Sequence, residues 1–332
     1  KGGSVTLEAG IQTNGAINTS AILDLQSGSI IDLSVAANQS NSQSLGKFTG
    51  TLHLRAPRTA SNNDLQIAAI GSTITGASHI IVEGVKLYDL TGTSGTITST
   101  VQNQIRSDSN AYLGSNGATT SGYTALKNRL TSLNPSLDLV LAPGVEIINR
   151  NGSLILGSTS STSSSDWDLS SFRFGPQGAA GILTLRASGN LTFHNALSDG
   201  FSGGTNLWLS PLMANNGLLP TNAQSWSYRL TAGSDFSAAN FRETLALDRL
   251  AANTGMLELG KNLGSATVTG GANALTSTLV ANNFQVIRTG SGNIDINAAD
   301  SVRLLNQFST IYTAGTQVAD PTKVLAAGDF IV

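Results

Sequence analysis

The sequence predicts an all-β chain wound as a β-helix (β-solenoid), interrupted by helical and loop excursions. Three observations carry this expectation. A short unit recurs, written Gly, any residue, aliphatic, polar, aliphatic. A second short strand follows it at a fixed offset, across a corner of small residues. The composition suits exposed β turns rather than helices, with five Glu, six Lys and 5% aromatics against abundant Ser, Thr, Asn and Gly. Glu and Lys are the usual polar residues of exposed helix faces, so the composition argues against a largely helical protein.

The clearest copies of the unit are Gly3-Ser4-Val5-Thr6-Leu7, Gly50-Thr51-Leu52-His53-Leu54, Gly181-Ile182-Leu183-Thr184-Leu185 and Gly292-Asn293-Ile294-Asp295-Ile296. Each is followed by a polar residue and Ala: Glu8-Ala9, Arg55-Ala56, Arg186-Ala187 and Asn297-Ala298. Looser copies are Gly152-Ser153-Leu154-Ile155-Leu156 and Gly255-Met256-Leu257-Glu258-Leu259. Period-two alternation turns the aliphatic pair inward and leaves the polar residue facing solvent. The leading Gly supplies a tight corner. Four residues past Ala187 comes Leu191-Thr192-Phe193, and four past Ala298 comes Val302-Arg303-Leu304. No crossover helix fits between such neighbours. Coils that stack their inward aliphatics into ladders satisfy this pattern; an antiparallel sandwich of short strands is the alternative. At roughly twenty residues per coil, reduced for insertions, about twelve coils and about 55 Å of shaft are expected.

The interruptions are three. Residues 101–134 place Val101, Ile105, Ala125, Leu126, Leu130 and Leu133 near helical spacing, ahead of Pro135, and predict a partly helical excursion. Residues 158–165 are a Ser/Thr-rich surface loop. Residues 201–226 form an apolar excursion, and Leu207, Trp208, Leu209 and Met213 in it are the candidate partner contact. The rest of 1–332 reads as one continuous β-helix segment. The chain begins and finishes in strand-like sequence, so a longer protein, or end-to-end self-association of copies, is expected.

Composition narrows the function classes. Lys+Arg is 18 and Asp+Glu 20, a balance with no electrostatic footprint for nucleic acid. Cysteine is absent, which removes disulfides, thiolate metal sites and thiol chemistry. His53, His79 and His194 lack metal-ligand spacing and read as surface or turn residues. No phosphate loop, zinc-helix motif or nucleophile elbow occurs, and no cofactor is expected. Polysaccharide lyases and hydrolases are the enzymatic rival, since pectin-cleaving enzymes share the β-helix. They need carboxylates clustered on one outer face. The nearest approaches here are Asp166 with Asp168, and Asp295 with Asp300, on separate strands that could bring them to one face. We expect no catalysis.

Several stretches resemble filamentous-haemagglutinin-like exoproteins of bacterial two-partner secretion, in a region well inside those long chains. They are Val82-Glu83-Gly84-Val85-Lys86-Leu87-Tyr88-Asp89, Leu141-Ala142-Pro143-Gly144-Val145-Glu146, the run Trp167 to Pro176, Leu197-Ser198-Asp199-Gly200-Phe201, the run Ser225 to Leu230, Val286-Ile287-Arg288-Thr289-Gly290 and Ile311-Tyr312-Thr313-Ala314-Gly315. They follow family order over about 79–315. The resemblance implies a right-handed parallel β-helix forming an extracellular shaft on the bacterial outer surface. It implies export through an outer-membrane pore partner, by way of a region outside this sequence, and roles in adhesion, biofilm or contact-dependent competition. No Arg-Gly-Asp tripeptide occurs. The leading expectation is therefore a structural and adhesive segment of a surface filament. The alternative within the binding class is a receptor-binding module that meets a host or bacterial surface receptor or glycan.

Overall fold

The computed structural model describes residues 4–10, 18, 20–34, 50–159, 166–200, 225–238, 240–261, 285–306 and 309–313, the side chains of 78 and 79 excepted. Strands dominate. Among the described residues four parallel sheets hold β1 (Ser4–Glu8), β2 (Ile30–Asp32), β3 (Gly50–Pro57), β4 (Thr73–Thr75), β5 (Ala77–Asp89), β6 (Leu139–Asn149), β7 (Leu154–Leu156), β8 (Trp167–Asp168), β9 (Ile182–Ala187), β10 (Leu191–Phe193), β11 (Ala196–Ser198), β12 (Ser227–Ala232), β13 (Leu257–Leu259), β14 (Gln285–Thr289), β15 (Ile294–Ala298), β16 (Val302–Leu304) and β17 (Ser309–Thr313). Two α-helices stand among the described residues, α1 (Ser99–Leu113) and α2 (Ser121–Thr131).

The longest sheet has seven strands in the order β1-β3-β5-β6-β9-β12-β15. Two four-stranded sheets follow the orders β7-β10-β13-β16 and β8-β11-β14-β17, and β2 pairs β4. Four successive runs therefore visit the same three sheets in the same sequence: β6-β7-β8, β9-β10-β11, β12-β13-β14 and β15-β16-β17. Chain length between register partners varies widely, with Gly144 opposite Ile182, Ile182 opposite Ser227 and Tyr228 opposite Ile294. These runs are much longer than twenty residues, because the excursions lie inside them. The twelve expected strands of the main ladder are accordingly seven among the described residues, spanning about 29 Å at the spacing of paired strands.

The clear sequence units form the long sheet, as β1, β3, β9 and β15, whereas the looser ones are β7 and β13 of a second sheet. Leu52, Leu54, Val82, Leu139, Leu141, Ile147, Leu183, Leu185, Tyr228 and Leu230 stack across the inward face and are all buried. At one corner Trp167, Phe172, Phe174 and Trp226 meet edge-on, with centroids 6.1–6.5 Å apart. The indole N–H of Trp226 donates to Phe172 O at 2.9 Å, so its polar edge is satisfied despite full burial. Gly181 admits this ring: a Cβ there would lie 2.4 Å from Trp226 Cη2 and 2.5 Å from Pro143 O.

The helices occupy the stretch between β5 and β6. Thr98 and Thr120 cap them, their hydroxyls accepting from Val101 N and Tyr123 N. Ile105, Tyr112 and Leu113 of α1 and Tyr123, Leu126 and Leu130 of α2 are buried in the common core. Leu133, placed on the helical face by its spacing, lies beyond α2 and is 60% exposed. Six residues of the Ser/Thr-rich loop, 160–165, lie outside the described residues.

Candidate functional site

The second face of the long sheet departs from the sequence expectation. Period-two alternation places His53, Arg55, Glu83, Glu146, Thr184, Arg186, Arg229 and Asp295 opposite the aliphatic ladder. Solvent was expected there. Instead Arg55, Glu83, Thr184 and Arg186 are each 1% exposed. The reason is a cover formed by the chain after β12. It turns back with Ser234 bridged to Thr244, and sets Phe241 over Arg55 and Arg229 at 5.3 and 5.0 Å, and Phe236 over Arg186 at 4.6 Å. Cations on ring faces retain part of the stabilisation they lose with water.

Buried charge must be paired. Arg55 donates to Glu146 at 2.7 Å and lies 3.4 Å from Glu83, and Arg186 reaches Glu146 at 3.3 Å. Glu83 also receives Arg229 at 3.1 Å. Two strands, β6 and β9, separate β5 from β12, a flat distance of about 14 Å. The contact requires the sheet to curl toward this face, into a half-barrel. Burial alone would raise the Glu83 carboxyl. Arg229, His53 and Arg55 outweigh it and hold the group well below the usual carboxylate range.

The curl leaves a groove of about 380 Å3. Ser4 and Thr6 come from one edge strand, β1, and Asn293 and Asp295 border the other, β15; Thr51, His53, Ser227 and Arg229 line the floor. His53 Nε2 lies 2.8 Å from Glu83 Oε2 and Nδ1 lies 3.4 Å from Arg229. Arg242 pairs Asp295 at 2.7 Å on the rim, where both are nearly half exposed. Hydroxyls and guanidinium edges give the groove hydrogen-bonding capacity for a polar ligand. Its charged groups, however, already face opposite charges of the fold. A second cavity of about 530 Å3 lies beside β4 and the start of β6, lined by Thr73, Gly76, Asn134, Ser136 and Asp138 among others.

The candidate contact residues Leu207, Trp208, Leu209 and Met213 lie outside the described residues, as does the His79 side chain. His53 is not an ordinary surface residue: its side chain is 15% exposed and built into the ionic row. His194 donates its backbone N–H to Leu156 O at a corner. Asp168 accepts from Ser170 N in a local turn. Asp166 turns away from it, to Asn195. Asp295 and Asp300 are not brought together as a carboxylate pair. Asp295 binds Arg242, while Asp300 sits in the bend after β15, 3.8 Å from Arg303. Among the described residues no three His, Cys, Asp or Glu gather as metal ligands, and no helix is long and apolar enough to cross a membrane.

Sequence reasoning missed the ionic row. Its signal was present: the unit is followed by a charged residue and Ala at Glu8, Arg55 and Arg186, always at the outward position. No family model matches the chain, and no curated protein or solved structure matches it.

Proposed function

We propose that the chain is a structural shaft segment of a large secreted bacterial surface protein of the filamentous-haemagglutinin-like kind, its strands wound as a right-handed parallel β-helix. One observation carries the reading: four consecutive runs enter the same three parallel sheets in the same order. Parallel crossovers of this kind are right-handed in nearly all proteins. In such a stack each coil rests only on its neighbours, so folding propagates from one end. That suits a chain exported end-first through a pore partner. The absence of cysteine suits it too, since no premature disulfide can form during passage.

Stretching the purified chain between its two ends tests this. A coil stack peels off in successive releases of unequal length, matching runs such as Ile80 to Leu139 and Gly144 to Ile182. Release of the whole chain in one low-force step overturns the shaft. A companion measurement addresses the receptor-binding alternative. Beads carrying the chain are scored for attachment to bacterial and host cells, beside a variant with residues 204–222 replaced by a Gly-Ser linker. Saturable attachment lost in the variant assigns the function to that excursion instead.

A further inference from the structure

The corner between the two four-stranded sheets holds three groups that the ladders do not explain. Asp166 immediately precedes β8, Asn195 immediately precedes β11, and Lys261 follows β13. They come from three successive runs and meet in one place. Asn195 is 1% exposed and Lys261 is 8% exposed. Lys261 Nζ donates to Asn195 Oδ1 at 2.5 Å, and Asn195 Nδ2 donates to Asp166 Oδ1 at 2.9 Å. The two contacts fix which end of the carboxamide faces which partner. The backbone of Asn195 is clamped as well, its N–H on Asp166 Oδ2 at 3.0 Å and its carbonyl accepting from Val286 N at 2.9 Å.

A simple hydrogen bond would satisfy the lysine. The arrangement offers more, because an amine, an amide carbonyl and a carboxyl stand in reacting order. We propose that Lys261 and Asn195 condense into an intramolecular isopeptide bond, with Asp166 as the proton carrier. The unprotonated Nζ attacks Asn195 Cγ, forming the Nζ–Cγ bond. The Nζ proton passes to Oδ1, its hydrogen-bond partner, while protonated Asp166 gives its proton to Nδ2 and regains one as the hydroxyl of the intermediate collapses to the new carbonyl. The Cγ–Nδ2 bond then breaks and Nδ2 leaves as ammonia. A primary amide and an amine become a secondary amide and ammonia, with no oxidant or cofactor consumed. Immobilised neighbours at contact distance react as if highly concentrated, and a positioned acid–base group assists each proton movement. Burial pushes the Asp166 carboxyl above its ordinary range, against the opposing pull of Asn195, His194 and Lys261, which suits a group that must hold a proton before donating it.

The bond would join residues 66 positions apart, across adjoining runs of the stack. It is a covalent staple open to a chain that has no cysteine. The chemistry stands independently of the shaft reading.

Intact-mass spectrometry of the folded wild-type chain tests the proposal. The expected mass is lower than the sequence mass by one ammonia. Trypsin should leave Lys261 uncut and yield peptide 187–229 branched onto peptide 250–288. Asn195→Ala and Lys261→Arg should restore the full mass. Asp166→Asn, verified as folded by its β-type circular dichroism, should also retain the ammonia. A folded wild-type chain at full mass, with Lys261 cleaved by trypsin, overturns the proposal. So does an ammonia loss that maps elsewhere in the chain. A branched peptide that still forms in Asp166→Asn overturns the role given to Asp166. In the stretching experiment the staple would withhold about 220 Å of extension from the wild type, the contour of the closed loop, and Asn195→Ala would release it.

Discussion

Replacing Glu83 by Gln should unfold this protein far more readily than an ordinary charge substitution. The side chain keeps its volume, so no cavity forms and the effect isolates charge. Glu83 is 1% exposed and faces Arg55 at 3.4 Å, Arg229 at 3.1 Å and His53 at 2.8 Å. Arg55 retains Glu146 at 2.7 Å in the variant, so little is lost there. Arg229 does not. It is left with the His53 ring and the face of Phe241, a guanidinium mostly withdrawn from water without a counter-charge. Removing one partner of a buried pair costs about 3–5 kcal/mol. At about 2.1 cal/mol/K of unfolding entropy per residue, 332 residues shift by roughly 1.4 °C per kcal/mol, so the midpoint should fall by about 4–7 °C. Urea titration followed by far-ultraviolet circular dichroism measures the loss, and a second substitution, Arg229→Met, should recover part of it. A loss below about 1 kcal/mol is what exposed pairs show. That result would mean the cover does not exclude water, and the account of the ionic row would fail.

The same residue sets an acid limb. Because the folded state depresses the Glu83 carboxyl, its contribution is present above the ordinary value of 4.5 and is lost as pH falls below it; Glu83→Gln should flatten that limb in a stability-versus-pH series. Trp226→Ala removes a fully buried indole from the edge-on aromatic corner and should cost about 3–5 kcal/mol, with collapse of the near-ultraviolet dichroism signal; an unchanged signal would refute that packing. Gly181→Ala drives a methyl against Trp226 Cη2 and Pro143 O and should cost about 1–3 kcal/mol, read from the same urea titrations.

Period two was the most legible property of the sequence. Val5, Leu52, Leu183 and Ile294 each head an aliphatic pair after Gly, and all four stand in one sheet. Strands β5, β6 and β12 belong to that sheet without the unit's leading Gly, so its spacing does not mark them. The third sheet was harder. Trp167–Asp168 is two residues long, and Ala196–Ser198 is three, too short for alternation to register. They join partners far along the chain, where only folded register reveals the match. The burial of Arg55 and Arg186 was invisible for a related reason. Alternation reports which face a side chain takes, but not whether a later segment, here Phe236 and Phe241, returns to cover it. The triad of Asp166, Asn195 and Lys261 spans 95 positions of the sequence and has no linear signature.

The unequal runs between register partners carry an evolutionary consequence. Thr51 meets His79, Ile80 meets Leu139 and Tyr228 meets Ile294, yet the ladder they join keeps one spacing. Lengthening a connection adds only a slowly growing closure cost, about 0.6 kcal/mol per doubling. Insertion and deletion are therefore decoupled from the register of the scaffold. A lineage can graft, trim or exchange whole connections while the aliphatic ladder stays under separate selection. The same freedom marks those connections as acceptor positions for transplanted peptides.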